Sequence, residues 1–228
     1  VGIVTTVSFG KAAWLGNLIV SERYRKSGGG SLLVRHVVNY SAGKNVETVG
    51  LYSYTDKVPF YRRLGFKYDS DFTVLRGRAF SSPTRASLRA AKKADMEEVM
   101  EFDHFYFGAS RRKLLGPILH NPHNLCYVSV EDGRMSGYAI AKVYESTAEL
   151  GPLVCLRERS DTATDLLKAV LSKMEGLEVS MCIPRREATL LDVLKSFGFD
   201  ESFHVVRMFF GPPFIRDCIY VAESLERG

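Results

Sequence analysis

The chain has 228 residues, 46% of them hydrophobic and 25% charged, with a formal net charge of +5. That length exceeds the roughly 100–150 residues of a common domain, so it suits one large domain or two smaller ones around ordinary cores. The balance is that of a soluble globular protein, no stretch approaches the ~20 uncharged apolar residues of a membrane span, and the positive charge suits a polyanionic ligand, either a nucleotide cofactor or a nucleic acid.

The chain opens with Val1-Gly2-Ile3-Val4, a strand already in progress with neither an initiator Met nor the basic-then-apolar pattern of a secretory signal, as in a fragment or a processed product. Val1 to Val7 and Ala12 to Val20 are β-branched and apolar runs around Phe9-Gly10-Lys11, which predicts two antiparallel strands joined by a turn. Next comes Ser21-Glu22-Arg23-Tyr24-Arg25-Lys26-Ser27-Gly28-Gly29-Gly30, and then Leu32, Leu33, His36, Val37, Val38 and Tyr40 recur at helical spacing. The glycines therefore fall between a strand and a helix. Peptide N–H groups at a helix start are unpaired and carry partial positive charge, and glycines let an anion approach the backbone. Arg25 and Lys26 add charge-assisted hydrogen bonds suited to a pyrophosphate. A flexible surface loop is the competing reading of a triple glycine.

The segment lacks both the GxxxxGK[ST] and the GxGxxG spacings but fits R-x-x-G-x-G after a strand, and Leu18 through Gly30 resembles the acyl-CoA loop of the GNAT acyl-CoA N-acyltransferases. A second motif follows in order. Val46 to Tyr54 reads as the next strand, and Val58-Pro59-Phe60-Tyr61-Arg62-Arg63-Leu64-Gly65-Phe66 is similar to the short helix that ends in Gly-Phe in that family. The resemblance implies an N-acetyltransferase with acetyl-CoA as the acyl donor and no metal. It implies backbone contacts from Leu18, Ile19 and Val20 to the pantetheine, where the strand splays from its neighbour at a bulge. It implies a pyrophosphate site at Arg25, Lys26, Ser27, Gly28, Gly29, Gly30 and Ser31, and a general acid, Tyr61, that protonates the departing thiolate. A core aromatic is the alternative for Tyr61.

The second half repeats the first. Trp14-Leu15-Gly16-Asn17-Leu18-Ile19-Val20 pairs with Glu149-Leu150-Gly151-Pro152-Leu153-Val154-Cys155 at a shift of about 135 positions, and Arg63-Leu64-Gly65-Phe66 pairs with Ser196-Phe197-Gly198-Phe199 at nearly the same shift. The loop after the second copy's strand, Arg157 to Thr164, has no glycine and two acids, and the tyrosine position becomes Leu194. That copy reads as non-catalytic. The expected fold is α+β with a mixed sheet: two tandem GNAT-like domains, an acetyl-CoA-binding one over residues 1–80 that lacks the family's N-terminal strand and helices, and a degenerate one over 86–228. Gly77 to Arg85, rich in Ser, Pro, Arg and Gly, is the linker candidate.

Leu88 to Phe107 predicts a short strand and then a helix. Asp103 through Arg111 resembles a segment of the C-terminal domain in some tandem GNAT proteins, and the pair Asp103/Arg111 reads as a structural ion pair or as part of an acceptor pocket. His120-Asn121-Pro122-His123 reads as a turn. The tail from Gly211, with Pro212-Pro213 and Cys218 to Ala222, reads as an edge strand or a segment packed across a surface.

The four cysteines, Cys126, Cys155, Cys182 and Cys218, form no CxxC pair, which points to reduced, buried thiols and a cytoplasmic setting. The base that many relatives carry as a glutamate on the strand before the loop is Trp14 here, Glu149 lies in the other copy, and the sequence names no substitute. The acceptor is a small-molecule or peptide amine of unspecified identity, and a homodimer is compatible. Basic residues are spread along the chain without an aromatic platform, which argues against nucleic acid. A non-catalytic acyl-CoA-binding regulatory module is the alternative function.

Overall fold

A computed structural model of the chain describes residues 1–82 and 88–228. The described residues form eleven strands and six α-helices, and they divide into two compact units. The first comprises residues 1–72, 204–214 and 225–228, and the second comprises 73–203 and 215–224. The division interleaves the chain: segments 204–214 and 225–228, which the sequence boundaries place with the second half, belong to the first unit. Of the linker candidate, Gly77 and Arg78 are strand residues, while Pro83 to Arg85 lie outside the described residues, as does the expected domain start at 86.

The first unit opens with β1 (Gly2–Phe9) and β2 (Ala12–Val20). They are joined by the two-residue turn Gly10-Lys11, with Gly10 at φ 75°, a backbone region that glycine enters without steric cost. Helix α1 (Gly29–Ala42) then crosses to β3 (Thr48–Tyr54), the short helix α2 (Val58–Arg63) follows, and β4 (Lys67–Arg78) begins. The core gathers Ala13, Leu15, Val34, Val37, Val49, Leu51, Tyr61, Phe66, Val206 and Met208. On α1 the buried residues are Val34, Val37 and Ser41, whereas Leu32 and Tyr40, both expected on the apolar face, are exposed. The helix begins at Gly29, earlier than the apolar run suggests, and that run did not fix its inward face.

The second unit runs through β5 (Leu88–Ala90), α3 (Met96–Phe107), α4 (Arg112–His120), β6 (Leu125–Glu131), β7 (Arg134–Val143), β8 (Thr147–Cys155), α5 (Ser160–Ser172), β9 (Glu178–Pro184) and α6 (Ala188–Ser196). Strand β10 (Asp200–Phe210) returns the chain to the first unit, where Val205 to Phe210 pair antiparallel with Tyr54 to Val49 of β3. Strand β11 (Ile219–Val221) completes the second unit. Strands β5 to β8 form an antiparallel meander and β9 joins β8 in parallel. The turn between β6 and β7 is Asp132-Gly133, both residues at positive φ, as a tight two-residue hairpin requires.

The internal repeat extends to individual hydrogen bonds. At the end of α2, Gly65 N–H donates to Arg62 O (3.0 Å) and Phe66 N–H to Tyr61 O (3.1 Å); at the end of α6, Gly198 N–H donates to Lys195 O and Phe199 N–H to Leu194 O, both 3.0 Å. Both glycines are left-handed, at φ 94° and 82°. This is the glycine-terminated helix end in which two last-turn carbonyls find donors, and it turns the following phenylalanine inward. Phe66 and Phe199 are both buried. Among the described residues, no helix is long and apolar enough to cross a membrane.

Candidate active site

In the first unit, β2 carries an irregularity against β1. The register steps from Ile3↔Ile19 to Thr5↔Gly16, so Asn17 and Leu18 together face the single residue Val4, and Asn17 sits at φ 48°. An extra residue of this kind bends a strand and re-aims its backbone. On the other side, β2 pairs in parallel with β3 over Ala12↔Thr48, Ala13↔Val49 and Trp14↔Gly50, after which both strands continue without further register. The pairing stops at the fully buried Trp14, whose indole occupies the space that a Cβ on Gly50 would enter at 2.5 Å. Trp14 also packs against Tyr52 (ring centroids 5.1 Å apart) and Phe209 (6.0 Å). The strands open beyond this wedge.

The opening is a cavity of about 980 Å³, lined by Leu15 to Val20 on one wall and by Tyr52, Ser53 and Tyr54 on the other. At its far end lies the loop after β2. Arg25 Nε donates to Val20 O (3.1 Å) and ties the loop to the strand end, while Ser27 Oγ donates to Tyr24 O (2.7 Å). Gly28 is the N-cap of α1 at φ 89°, with no side-chain hydrogen bond capping the helix, and the first helical bond runs from Leu32 N–H to Gly28 O. The N–H groups of the first turn thus remain for an anion. A Cβ on Gly28 would meet nothing within 4 Å, so the glycine is demanded by its left-handed backbone.

Leu18, Ile19, Val20, Arg25, Lys26, Gly28, Gly30 and Ser31 all line this cavity. Two other expected residues do not: Ser27 is engaged with the Tyr24 carbonyl, and Gly29 is the first residue of α1. Tyr61, on α2, lines the same cavity and is buried, held by ring contacts with Phe60 (4.9 Å) and Phe66 (5.8 Å). It is therefore both a core aromatic and a cavity residue. Burial raises its phenol above the ordinary tyrosine range, so Tyr61 keeps its proton at neutral pH.

Sequence reasoning missed the contribution of the last residues. Trp14 Nε1 donates to Leu225 O (3.3 Å), and Leu225 and Glu226 line the cavity. No local pattern signals this, because the partners are more than 200 positions apart in the chain. Lys57 and Arg63 add further cations to the lining.

The second unit repeats the frame and closes it. Strand β8 pairs in parallel with β9 over Thr147↔Glu178 to Glu149↔Ser180, three pairs as in the first unit. Beyond them β11 aligns antiparallel with β8, Ile219↔Cys155, Tyr220↔Val154 and Val221↔Leu153, and Ala222 N–H donates to Cys182 O of β9 (3.0 Å). The tail strand is thus inserted, with all three residues buried, rather than placed at an edge. The loop cations are also engaged: Arg157 binds Glu187 (2.9 Å) and Asp217 (3.1 Å), and Arg159 binds Glu131 (2.9 Å). Leu194 is fully buried.

Asp103 and Arg111 form a two-pronged pair (2.6 and 3.1 Å) in the interior of this unit. The Tyr138 hydroxyl donates to Asp103, Arg111 donates to the Tyr220 hydroxyl (3.0 Å), and the guanidinium lies 3.9 Å from the Phe107 ring centre. Burial alone would weaken the Arg111 charge, but the Asp103 carboxylate outweighs it and holds the guanidinium more firmly protonated than usual. The pair is structural. Glu149 binds Lys142 (2.8 Å), which also binds the buried Glu223 (2.7 Å). The turn expected at His120 to His123 falls one residue later, since His120 ends α4 and Asn121 to Asn124 are closed by Asn124 N–H to Asn121 O (3.1 Å); no group of metal-binding side chains occurs among the described residues.

Two models described as acetyltransferase (GNAT) domains match this chain, over residues 1–68 and 99–219. The protein belongs to the GNAT acetyltransferase family, in a tandem arrangement. It is 21% identical over 197 residues to the uncharacterized N-acetyltransferase YitH of Bacillus subtilis (strain 168), covering 85% of this chain and 68% of that one. Among solved structures, a candidate acetyltransferase from Pyrococcus horikoshii superposes with a TM-score of 0.78 at 20% identity, covering 100% of this chain and 76% of its own. A tandem GNAT protein from the clavulanic acid biosynthesis pathway gives a TM-score of 0.59 at 16% identity, with coverages of 93% and 80%. At these identities the structural likenesses concern the fold.

Proposed function

We propose that the first unit moves an acetyl group from acetyl-CoA to an amine by direct attack, while the second unit is non-catalytic. The observation that carries this reading is the opening of β2 from β3 after three paired residues, which leaves a strand edge running from an uncapped helix start to a buried tyrosine. In this reading the first-turn N–H groups of α1, with Arg25 and Lys26, hold the pyrophosphate. The pantetheine amides pair with the open edge of Leu18 to Val20, which brings the thioester toward Asn17 and Gly16. Fixing donor and acceptor in one cavity replaces a bimolecular encounter by a near-unimolecular one. The neutral Tyr61 hydroxyl supplies the proton that the departing thiolate takes up. The acceptor is a small-molecule or peptide amine.

Calorimetric titration with acetyl-CoA tests this directly. The wild-type chain binds, and the double variant Gly28→Asp/Gly30→Asp does not, since it places two carboxylates where the phosphates would lie. A folded wild-type chain that takes up no acetyl-CoA would sink the reading. Binding without transfer to any member of a broad amine panel would convert it into a ligand-holding module.

A further inference from the structure

An amine acceptor is a cation at neutral pH and must surrender a proton before its nitrogen can attack a thioester. The cavity of the first unit is poorly suited to receive a cation on most of its lining, because Arg25, Lys26, Lys57 and Arg63 all carry positive charge. Among the described residues that line it, one is acidic: Glu226.

Glu226 is placed there by contacts that fix its backbone. The preceding carbonyl, Leu225 O, accepts the Trp14 indole N–H at 3.3 Å. A Cβ on Gly16 would lie 2.9 Å from both Cα and Cβ of Glu226 and 3.0 Å from its carbonyl oxygen. The glycine at 16 thus makes room for this residue, on the same strand and immediately before the bulge at Asn17 and Leu18. Gly16 and Val20 are separated by at most about 13 Å of strand at ~3.3 Å per residue, less the bend at the bulge. The phosphate-binding loop follows Val20, so Glu226 backs onto the opposite end of the open edge, where the thioester would arrive. Its side chain is half-buried, and among the described residues no hydrogen bond or ion pair engages its carboxylate.

We infer that Glu226 is the catalytic proton acceptor for the amine, an assignment that rests on the acetyl-transfer reading above. The carboxylate attracts the ammonium and takes one proton from it, directly or through a water. The neutral nitrogen adds to the thioester carbon, forming the C–N bond and a tetrahedral oxyanion. Collapse breaks the C–S bond, the thiolate takes the Tyr61 proton, and the second nitrogen proton passes to the Tyr61 phenolate. The products are the amide, free CoA thiol and a protonated Glu226, which returns its proton to solvent.

The test compares two nucleophiles in Glu226→Gln. One is the best primary alkylamine from a panel of polyamines, amino sugars and lysine peptides; the other is hydroxylamine, small and already largely unprotonated at neutral pH. Thiol release is measured above the uncatalysed rate, alongside acetyl-CoA titration and thermal melting. The expected result is a fall of about 10²-fold or more in kcat/KM for the alkylamine, within the span of general-base catalysis, with hydroxylamine transfer and acetyl-CoA affinity changed less than about threefold. Glu226→Asp, which keeps the charge at shorter reach, recovers part of the alkylamine rate. Undiminished alkylamine transfer by Glu226→Gln overturns the assignment, as does an equal loss with both nucleophiles. A wild-type chain that binds no acetyl-CoA overturns the acetyl-transfer reading itself and this role with it.

Discussion

Strands β2 and β8 start alike and end differently. Each pairs in parallel with its neighbour for three residues, at Ala12 to Trp14 and at Thr147 to Glu149. Beyond that point Leu18 to Val20 face a cavity, whereas Leu153 to Cys155 are paired with β11. A strand edge left open is a row of donors and acceptors awaiting a partner. In the second unit the partner is the protein's own chain, and the polar groups around it, Arg157 with Glu187 and Arg111 with Asp103, are committed to structure. In the first unit the corresponding stretch borders the cavity, with the Val20 carbonyl held by Arg25 Nε. One framework can thus be a site or a core, depending on whether a short strand of the same chain fills the gap.

The strongest way to break this contrast is at the glycine loop. Gly28→Asp/Gly30→Asp should abolish measurable acetyl-CoA binding, while placing glycines at Asp161 and Thr162 of the second unit should create none, because β11 still fills the gap; calorimetry reads both. Next in size is the committed polar pair. Asp103→Asn leaves Arg111 buried without its counter-charge and should cost about 3–5 kcal/mol in urea unfolding. Tyr61→Phe removes the acid without emptying the core position and should lower kcat by about 10²-fold, with acetyl-CoA affinity unchanged. Because burial raises the Tyr61 pKa, the wild-type rate should hold on the alkaline side beyond the ordinary tyrosine range and fall only as pH passes the raised value; this limb is absent in Tyr61→Phe.

Hydrogen exchange sharpens the comparison without mutation. Amides of Leu153 to Cys155 should exchange on the order of tenfold more slowly than those of Leu18 to Val20, and acetyl-CoA should narrow the gap. The smallest effect is expected at Asp95. Its hydrogen bonds to Arg89 (2.6 and 2.8 Å), opposed in part by burial, hold its pKa at about 2. The folded value is depressed, so this contribution is present above the unfolded carboxylate pKa near 4 and is lost as pH falls toward 2. Asp95→Asn should cost below about 1 kcal/mol at neutral pH, since the pair is partly exposed, and should flatten the acid limb of thermal stability.

The strand-loop-helix signature, the Gly-Phe helix ends and the repeat were legible because each is local. A left-handed glycine after a short helix and an uncapped glycine helix start are set by backbone geometry within a few residues, and such geometry leaves a mark in sequence. The inward face of α1 was harder to read, since Leu32 and Tyr40 continue the apolar pattern yet stay exposed. Three features were beyond local reading: the share of the first unit taken by 204–214 and 225–228, the insertion of β11 beside β8, and the arrival of Glu226 at Gly16. By itself the sequence determined the glycine loop and the doubled motifs, because short-range spacing and backbone conformational freedom encode them, and through the resemblance those motifs carry it pointed to the family. Only the tertiary structure decided which of the two gaps stays open and which distant segment lines it, because both depend on where that segment finds unpaired strand edge and empty space to pack against.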